Sequence, residues 1–229
     1  MLYASIDNNA QWCHAVCAAA GVVGSFGPSM WSSSTRTPLL YPDAITLAPQ
    51  INPSQVVAAV DTAGPGCSVK DSFAAVDLAA YGFYPLFDAS WISLDRIELA
   101  STRTWYAQWS TITNEADLEK WITAWGDSAV FRFSPRLLTD ARVRFLAGYR
   151  DDDLLAGAIA FATAGVIGIN NVFGPEASLT DVWSDVAQLM LTTTDHPLVG
   201  YESGTTLAAA RAIGFTATGP LTVWSTRAR

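Results

Sequence analysis

The sequence predicts an α+β protein, a mixed sheet with helices packed on its faces. Short apolar runs of strand character alternate with helical segments along the second half of this 229-residue chain. Pro197 to Trp224 reads as strand, helix, strand. LVGY is a buried strand, TLAAARAI a helix stopped by Gly214 at a left-handed cap, and Phe215 opens a closing strand that ends at Val223-Trp224. Leu179 to Leu191 is a helix with Leu179, Val182, Trp183, Val186, Leu189 and Met190 along one side, the pattern of a helix lying on a sheet.

From the amino end, Ile6 to Ala20 reads as a helix opened by Asp7 or Asn8. Val22 to Pro38 is rich in Gly, Ser, Pro and Thr and reads as a surface loop, with Met30 and Trp31 lining a pocket or pinning the loop down. A strand-like AITL follows, then a helix from Pro53 to Thr62 started by Asn52 and ended by the turn at Gly64-Pro65-Gly66. Cys67 to Trp91 runs from a short strand into an Ala-rich helix, then Gly82-Phe83, then a strand containing Trp91. It parallels Pro197 to Trp224 as a weak internal repeat, with Gly82-Phe83 matching Gly214-Phe215. Ile92 to Arg103 is the expected link between an amino-terminal partial unit, residues 1–97, and a carboxy-terminal domain, residues 98–229. In the latter, WYAQWSTI reads as an alternating strand, and Asn114 caps the helix EADLEKWITAWG. Val143–Tyr149 and Leu154–Ala162 form a hairpin turned at Arg150-Asp151-Asp152-Asp153, and Gly165–Phe173 is a further strand.

Composition narrows the function classes. A net charge of −8 disfavours nucleic-acid binding, which needs cations to displace counterions. No apolar run reaches the length of a membrane span, and the N-terminus lacks the order of a signal peptide, so a cytoplasmic protein without membrane attachment is expected. Three cysteines give no disulfide framework. Cys13, His14 and Cys17 share a helix without the second ligand pair that zinc usually requires, so no metal is expected. P-loop, dinucleotide, nucleophile-elbow and zinc-protease signatures are all lacking.

The order of elements from Thr104 to Arg227, and above all the Gly-Phe of the closing strand–helix–strand, resembles the GCN5-related N-acetyltransferase (GNAT) family. The resemblance implies a gap between strands 165–173 and 198–202 that takes the acyl-CoA arm. It also implies a basic, Gly-rich turn before the central helix whose amides hold the diphosphate. Asn171, Val172, Phe173, Gly174 and Ser178 are the matching cofactor positions. The pattern departs there: the turn has one glycine, Pro175 removes a donor, no Arg or Gln is present, and Glu176, Asp181 and Asp185 put acid around the first helical turns. A family tyrosine acid in the last helix corresponds to Ala210. Glu202, at the end of its strand beside the gap, is the candidate base or else a cap for the next helix. Tyr201 alternates with it, one facing the cleft and the other the core. His196 sits at the opposite end of that strand, and Asn170, Asn171, Lys70 and Asp71 are further polar candidates. Two readings follow: acyl transfer from acetyl-CoA or another acyl-CoA to a small-molecule amine, or a non-catalytic GNAT-like module that binds a small molecule or a protein. Oligomeric state is left open.

Overall fold

The computed structural model describes residues 1–64, 66–95, 104–126 and 131–226. In chain order it contains α1 (Leu2–Ala19), β1 (Ser25–Phe26), β2 (Met30–Ser32), β3 (Ala44–Thr46), α2 (Pro53–Ala58), β4 (Ser68–Asp71) and β5 (Phe83–Leu94). Then come β6 (Gln108–Thr111), α3 (Glu115–Trp125), β7 (Val143–Arg150), β8 (Asp153–Thr163), β9 (Val166–Phe173), α4 (Leu179–Leu191), β10 (Leu198–Glu202), α5 (Gly204–Ala212) and β11 (Thr216–Thr226). The strands form one sheet in the order β1-β2-β3-β4-β11-β5-β10-β9-β8-β7-β6. Pairs β3–β4 and β9–β10 are parallel and the others antiparallel, so the sheet is mixed as predicted.

Two apolar layers cover the sheet. On one face α1 and α3 pack Trp12, Trp121, Phe133, Phe145, Ile159 and Phe161 into an aromatic core. On the other, α4 and α5 bury Ile92, Leu94, Ile167, Ile169, Trp183 and Phe215. The alternation of side chains along each strand divides the two sets. β5 and β11, the closing strands of the two similar segments, lie side by side in the middle of the sheet, and their pairing runs from Thr216↔Ser93 to Thr226↔Phe83. Both follow a left-handed glycine, Gly82 at φ +84° and Gly214 at φ +107°, a conformation that a Cβ would strain.

Local signals placed the caps of α2 and α3. Asn52 opens α2 with a reciprocal capping box to Gln55, and the Asn114 side chain accepts the Asp117 amide at 2.9 Å. Other expectations need correction. α1 begins at Leu2, ahead of Asp7 and Asn8, and α2 ends at Ala58, short of Thr62. β5 runs on to Leu94, into the expected link Ile92–Arg103, whose residues 96–103 lie outside the described ones. The Ala-rich stretch before Gly82 makes only a single 3-10 turn, Ala79–Tyr81. The Asp71 carboxylate takes the amides of Phe73, Ala75 and Val76 at 3.2, 2.6 and 2.7 Å, winding the chain into a turn where a helix was expected. The segment Val22 to Pro38 contains two short strands, and Trp31 is fully buried with its indole N–H on His14 Nδ1 at 3.1 Å. WYAQWSTI is strand only over Gln108–Thr111. Asp185, fully buried on α4, accepts the Tyr106 and Ala107 amides and the Trp109 indole N–H at 2.9, 3.2 and 2.8 Å, which takes those amides out of any ladder.

β9 and β10 pair only at Leu198↔Ile167 and Val199↔Gly168; beyond Val199 they diverge. Gly200 stands at that fork, where an added Cβ would lie 2.8 Å from the Ile169 carbonyl oxygen. Backbone cannot swing aside as a side-chain tip can. Gly200→Ala is therefore expected to destabilise the fold by about 1–3 kcal/mol, the usual scale of overpacking. Urea titration should show a lower midpoint with an unchanged slope.

Candidate active site at the strand fork

The fork opens into a pocket of about 380 Å³. Its walls come from both halves of the chain: Asn9, Trp12 and Cys13 of α1, Leu40 and Tyr41, Lys70 of β4, Phe87 of β5, Ile169–Val172 of β9, Tyr201 and Glu202 of β10, and Thr206 of α5. A β-bulge aims β9 at it. Phe173 pairs with Gly157 and Asn170 with Ile159, so Asn171 and Val172 share one opposing residue, and Asn171 adopts φ +51°. The bulge is why the consecutive residues Asn170, Asn171 and Val172 all line one cavity.

Glu202 ends β10 as the strand leaves its neighbour. Burial pushes its carboxyl up to about 7, with Thr206 in the first turn of α5 pulling weakly the other way. The following helix is opened by Ser203 without a side-chain cap bond. Tyr201 lines the same pocket, its ring 5.4 Å from Trp91 in an edge-on contact, so the expected division into one core and one cleft residue does not hold. The strand end is free to turn both side chains toward the opening.

A polar chain crosses the floor. The Lys70 ammonium donates to Asn9 Oδ1 at 2.7 Å and lies 4.3 Å from the centre of the Tyr201 ring. Asn9 Nδ2 donates to Asn170 Oδ1 at 3.4 Å, while Asn170 Nδ2 is buried with no partner among the described residues. An amide donor left open beside a cavity suits an acceptor on a bound molecule. Cys13 is close by, but burial holds its thiol protonated well past neutrality, against a weaker opposing pull from Lys70.

Neither of the large side chains Trp183 and Phe173 lines the pocket. Trp183 packs on Phe215 at 5.2 Å in the α4 layer, and Phe173 packs on Trp121 at 5.0 Å in the α3 layer. The diphosphate end is different. Gly174 is occupied by packing, since a Cβ there would meet Val182 at 2.9 Å. Glu176 is exposed beside Pro175, and α4 starts at Ser178 without a side-chain cap. Asp185 is not at the helix mouth but buried on its ligands from the β6 segment. Ala210, at the position of the family acid, is buried against α4. His196 is exposed in a separate hollow of about 230 Å³ with Arg142 and Arg144, away from Glu202. Asp71 faces its turn and is not in the pocket. Among the described residues no cluster of metal-ligating side chains occurs, and no helix is long and apolar enough to cross a membrane.

Solved structures share this architecture. A GCN5-related N-acetyltransferase from Kribbella flavida superposes with TM-score 0.59 over 95% of this chain and 95% of its own, at 11% identity. The fold is that of the GCN5-related N-acetyltransferases. A GCN5-related N-acetyltransferase-like protein from Streptococcus suis gives TM-score 0.56 over 91% and 90% of the two chains, at 13% identity. No protein-family model matches the chain, and no curated protein matches its sequence.

Lys70, Asn9 and Cys13 are the pocket residues that sequence reasoning passed over or left unplaced. No local signal marked them: Lys70 ends the mixed run Cys67-Ser68-Val69-Lys70 and is followed by Asp71-Ser72, a pattern equally suited to a solvated strand end.

Proposed function

We propose that the chain is an N-acyltransferase that moves an acyl group from a thioester donor of the acyl-CoA type to the amine of a small molecule. The observation that carries the reading is Glu202: a carboxylate titrating near neutrality at the mouth of an open strand fork. A base whose pKa lies near the working pH combines an adequate ionised fraction with an adequate drive for proton transfer.

Bound along β9, a thioester supplies an electrophilic acyl carbon. Asn170, through its open Nδ2, and the bulged backbone at Asn171 are the groups fitted to hold the amide-bearing arm. Glu202 accepts the proton of the attacking amine nitrogen as the new C–N bond forms. The C–S bond then breaks with its electron pair on sulfur. With Ala210 in place of an acid, the leaving thiolate takes its proton from Glu202 or from water entering the pocket. Cys13 takes no part as a nucleophile, because its buried thiol is not ionised. Attack is direct.

The diphosphate end does not fit the family cradle: Gly174 is spent on packing, and Glu176 opposes an anion. That observation favours a second reading, a cleft that binds a small molecule without acyl transfer. The two separate in one assay. With acetyl-CoA and a panel of small amines at pH 8, acyl transfer predicts amine-dependent release of free thiol that follows enzyme concentration. A binding-only cleft predicts none.

A further inference from the structure

The acceptor side of the pocket contains a buried cation that the transfer chemistry does not use. Lys70 is 3% exposed, and its ammonium donates to Asn9 Oδ1 and lies against Tyr201. Among the described residues no carboxylate pairs with it. The nearest acid in sequence, Asp71, points to the other side of β4 and is taken by Thr46 Oγ1 and the amides of Phe73, Ala75 and Val76. The remaining neighbours of Lys70 are Tyr201, over whose ring it lies, and Cys13. An ammonium withdrawn from water without an anion is costly. Since no described carboxylate is paired with Lys70, a ligand in the pocket is placed to supply one.

Lys70 and Glu202 are linked through Tyr201. The Lys70 ammonium lies over the Tyr201 ring, and Lys70, Tyr201 and Glu202 all line the one pocket of about 380 Å³. A cation and a carboxyl lining one small pocket suit a small molecule that carries both a carboxylate and an amine. The rest of the acceptor wall is apolar: Trp12, Tyr41, Leu40 and Phe87 line it, and Leu40 and Phe87 are 58% and 39% exposed at its mouth. An apolar side chain on the ligand would cover them.

We infer that the acceptor is a free amino acid with an apolar side chain, its carboxylate on Lys70 and its amine at Glu202. This rests on the acyltransferase reading for the reaction but not for the binding. The amine nitrogen would form the C–N bond and pass its proton to Glu202, the thioester C–S bond would break, and the product would be an N-acyl amino acid with its carboxylate unchanged.

The test is calorimetric titration of the protein without acyl donor, using L-phenylalanine, L-leucine, 3-phenylpropanoate and phenethylamine. Expected are saturable heats for both amino acids and for 3-phenylpropanoate, with phenethylamine at least tenfold weaker. Lys70→Met should bring L-phenylalanine down to the phenethylamine level, and Lys70→Arg should recover part of the loss. If Lys70→Met does not fold, the wild-type comparison of L-phenylalanine with phenethylamine decides alone. Equal affinity for those two, unchanged L-phenylalanine binding in a folded Lys70→Met, or no heat with either amino acid at millimolar concentration would overturn the inference. Because no donor is present, a failure of acyl-CoA binding leaves this result standing. Conversely, acyl transfer to carboxylate-free amines with the same kcat/KM as to amino acids would overturn this inference and leave acyl transfer intact.

Discussion

Glu202→Gln is expected to lower kcat/KM for acyl transfer by about 10²–10³-fold, within the usual range for a general base. Glutamine keeps the size and polarity of the side chain but cannot take a proton. In the wild type the rate should rise with pH through about 7 as the carboxyl ionises; in the variant that rise should vanish. Stability should move the opposite way. A carboxyl whose pKa is raised in the folded state, from 4.5 to about 7, favours folding while it is protonated. That contribution is complete below the unfolded value and is lost as pH climbs through the folded one. At ~1.4 kcal/mol per pH unit, the wild type should be less stable at pH 8 than at pH 4.5 by ~2–3 kcal/mol from this group alone. Glu202→Gln should remove that pH dependence and be the more stable protein at pH 8. An inactive variant that is also more stable cannot be explained as a misfolded one. Urea titrations at the two pH values and pH–rate profiles check both halves.

Asp71→Ala is expected to be the most damaging single change to the scaffold around the site. Asp71 is fully buried and accepts four donors, the hydroxyl of Thr46 and the amides of Phe73, Ala75 and Val76. Removing the carboxylate leaves those donors without partners, at about 3–5 kcal/mol in total. For a chain of this size that lowers Tm by roughly 10 °C or more. Asp71→Asn, which keeps one acceptor oxygen, should fall between. The effect reaches the pocket as well. The Trp91 indole donates to the Ser72 carbonyl at 2.8 Å within the turn that Asp71 organises, and Trp91 backs Tyr201. Loosening that turn should weaken ligand binding at Lys70 even under conditions where Asp71→Ala remains folded. Thermal unfolding, together with L-phenylalanine titration at low temperature, measures both.

What the sequence disclosed was whatever is decided locally. Asn114, Asn52 and Gly214 act on residues a few positions away, so their caps could be read without knowing the fold. The apolar side of α4 and the strand–helix–strand ending at β11 have the same local character. Glu202 was legible because a strand end beside an expected fork is a position that chain order alone defines. Lys70 was named but could not be placed. Its role depends on β4 joining β11, a pairing of residues 69–71 with residues 222–224, and on α1 bringing in Asn9 from across the sheet. The Ala-rich stretch before Gly82 misled in a different way. Its helix propensity was genuine, but one buried aspartate offered the same amides a better acceptor. Asp185 is the counterpart in the second half: an acid near a helix start that reads as a repellent of phosphate until the fold turns it onto Tyr106, Ala107 and Trp109.

The central claim is that the fork between β9 and β10 takes the thioester arm of an acyl donor while the start of α4 does little for its diphosphate. Calorimetric titration with acetyl-CoA beside S-acetyl-pantetheine addresses it most directly. Saturable heats for both are predicted, with acetyl-pantetheine no more than about tenfold the weaker, a difference of ~1.4 kcal/mol. Silence from both ligands at millimolar concentration, without a thermal shift, would contradict it.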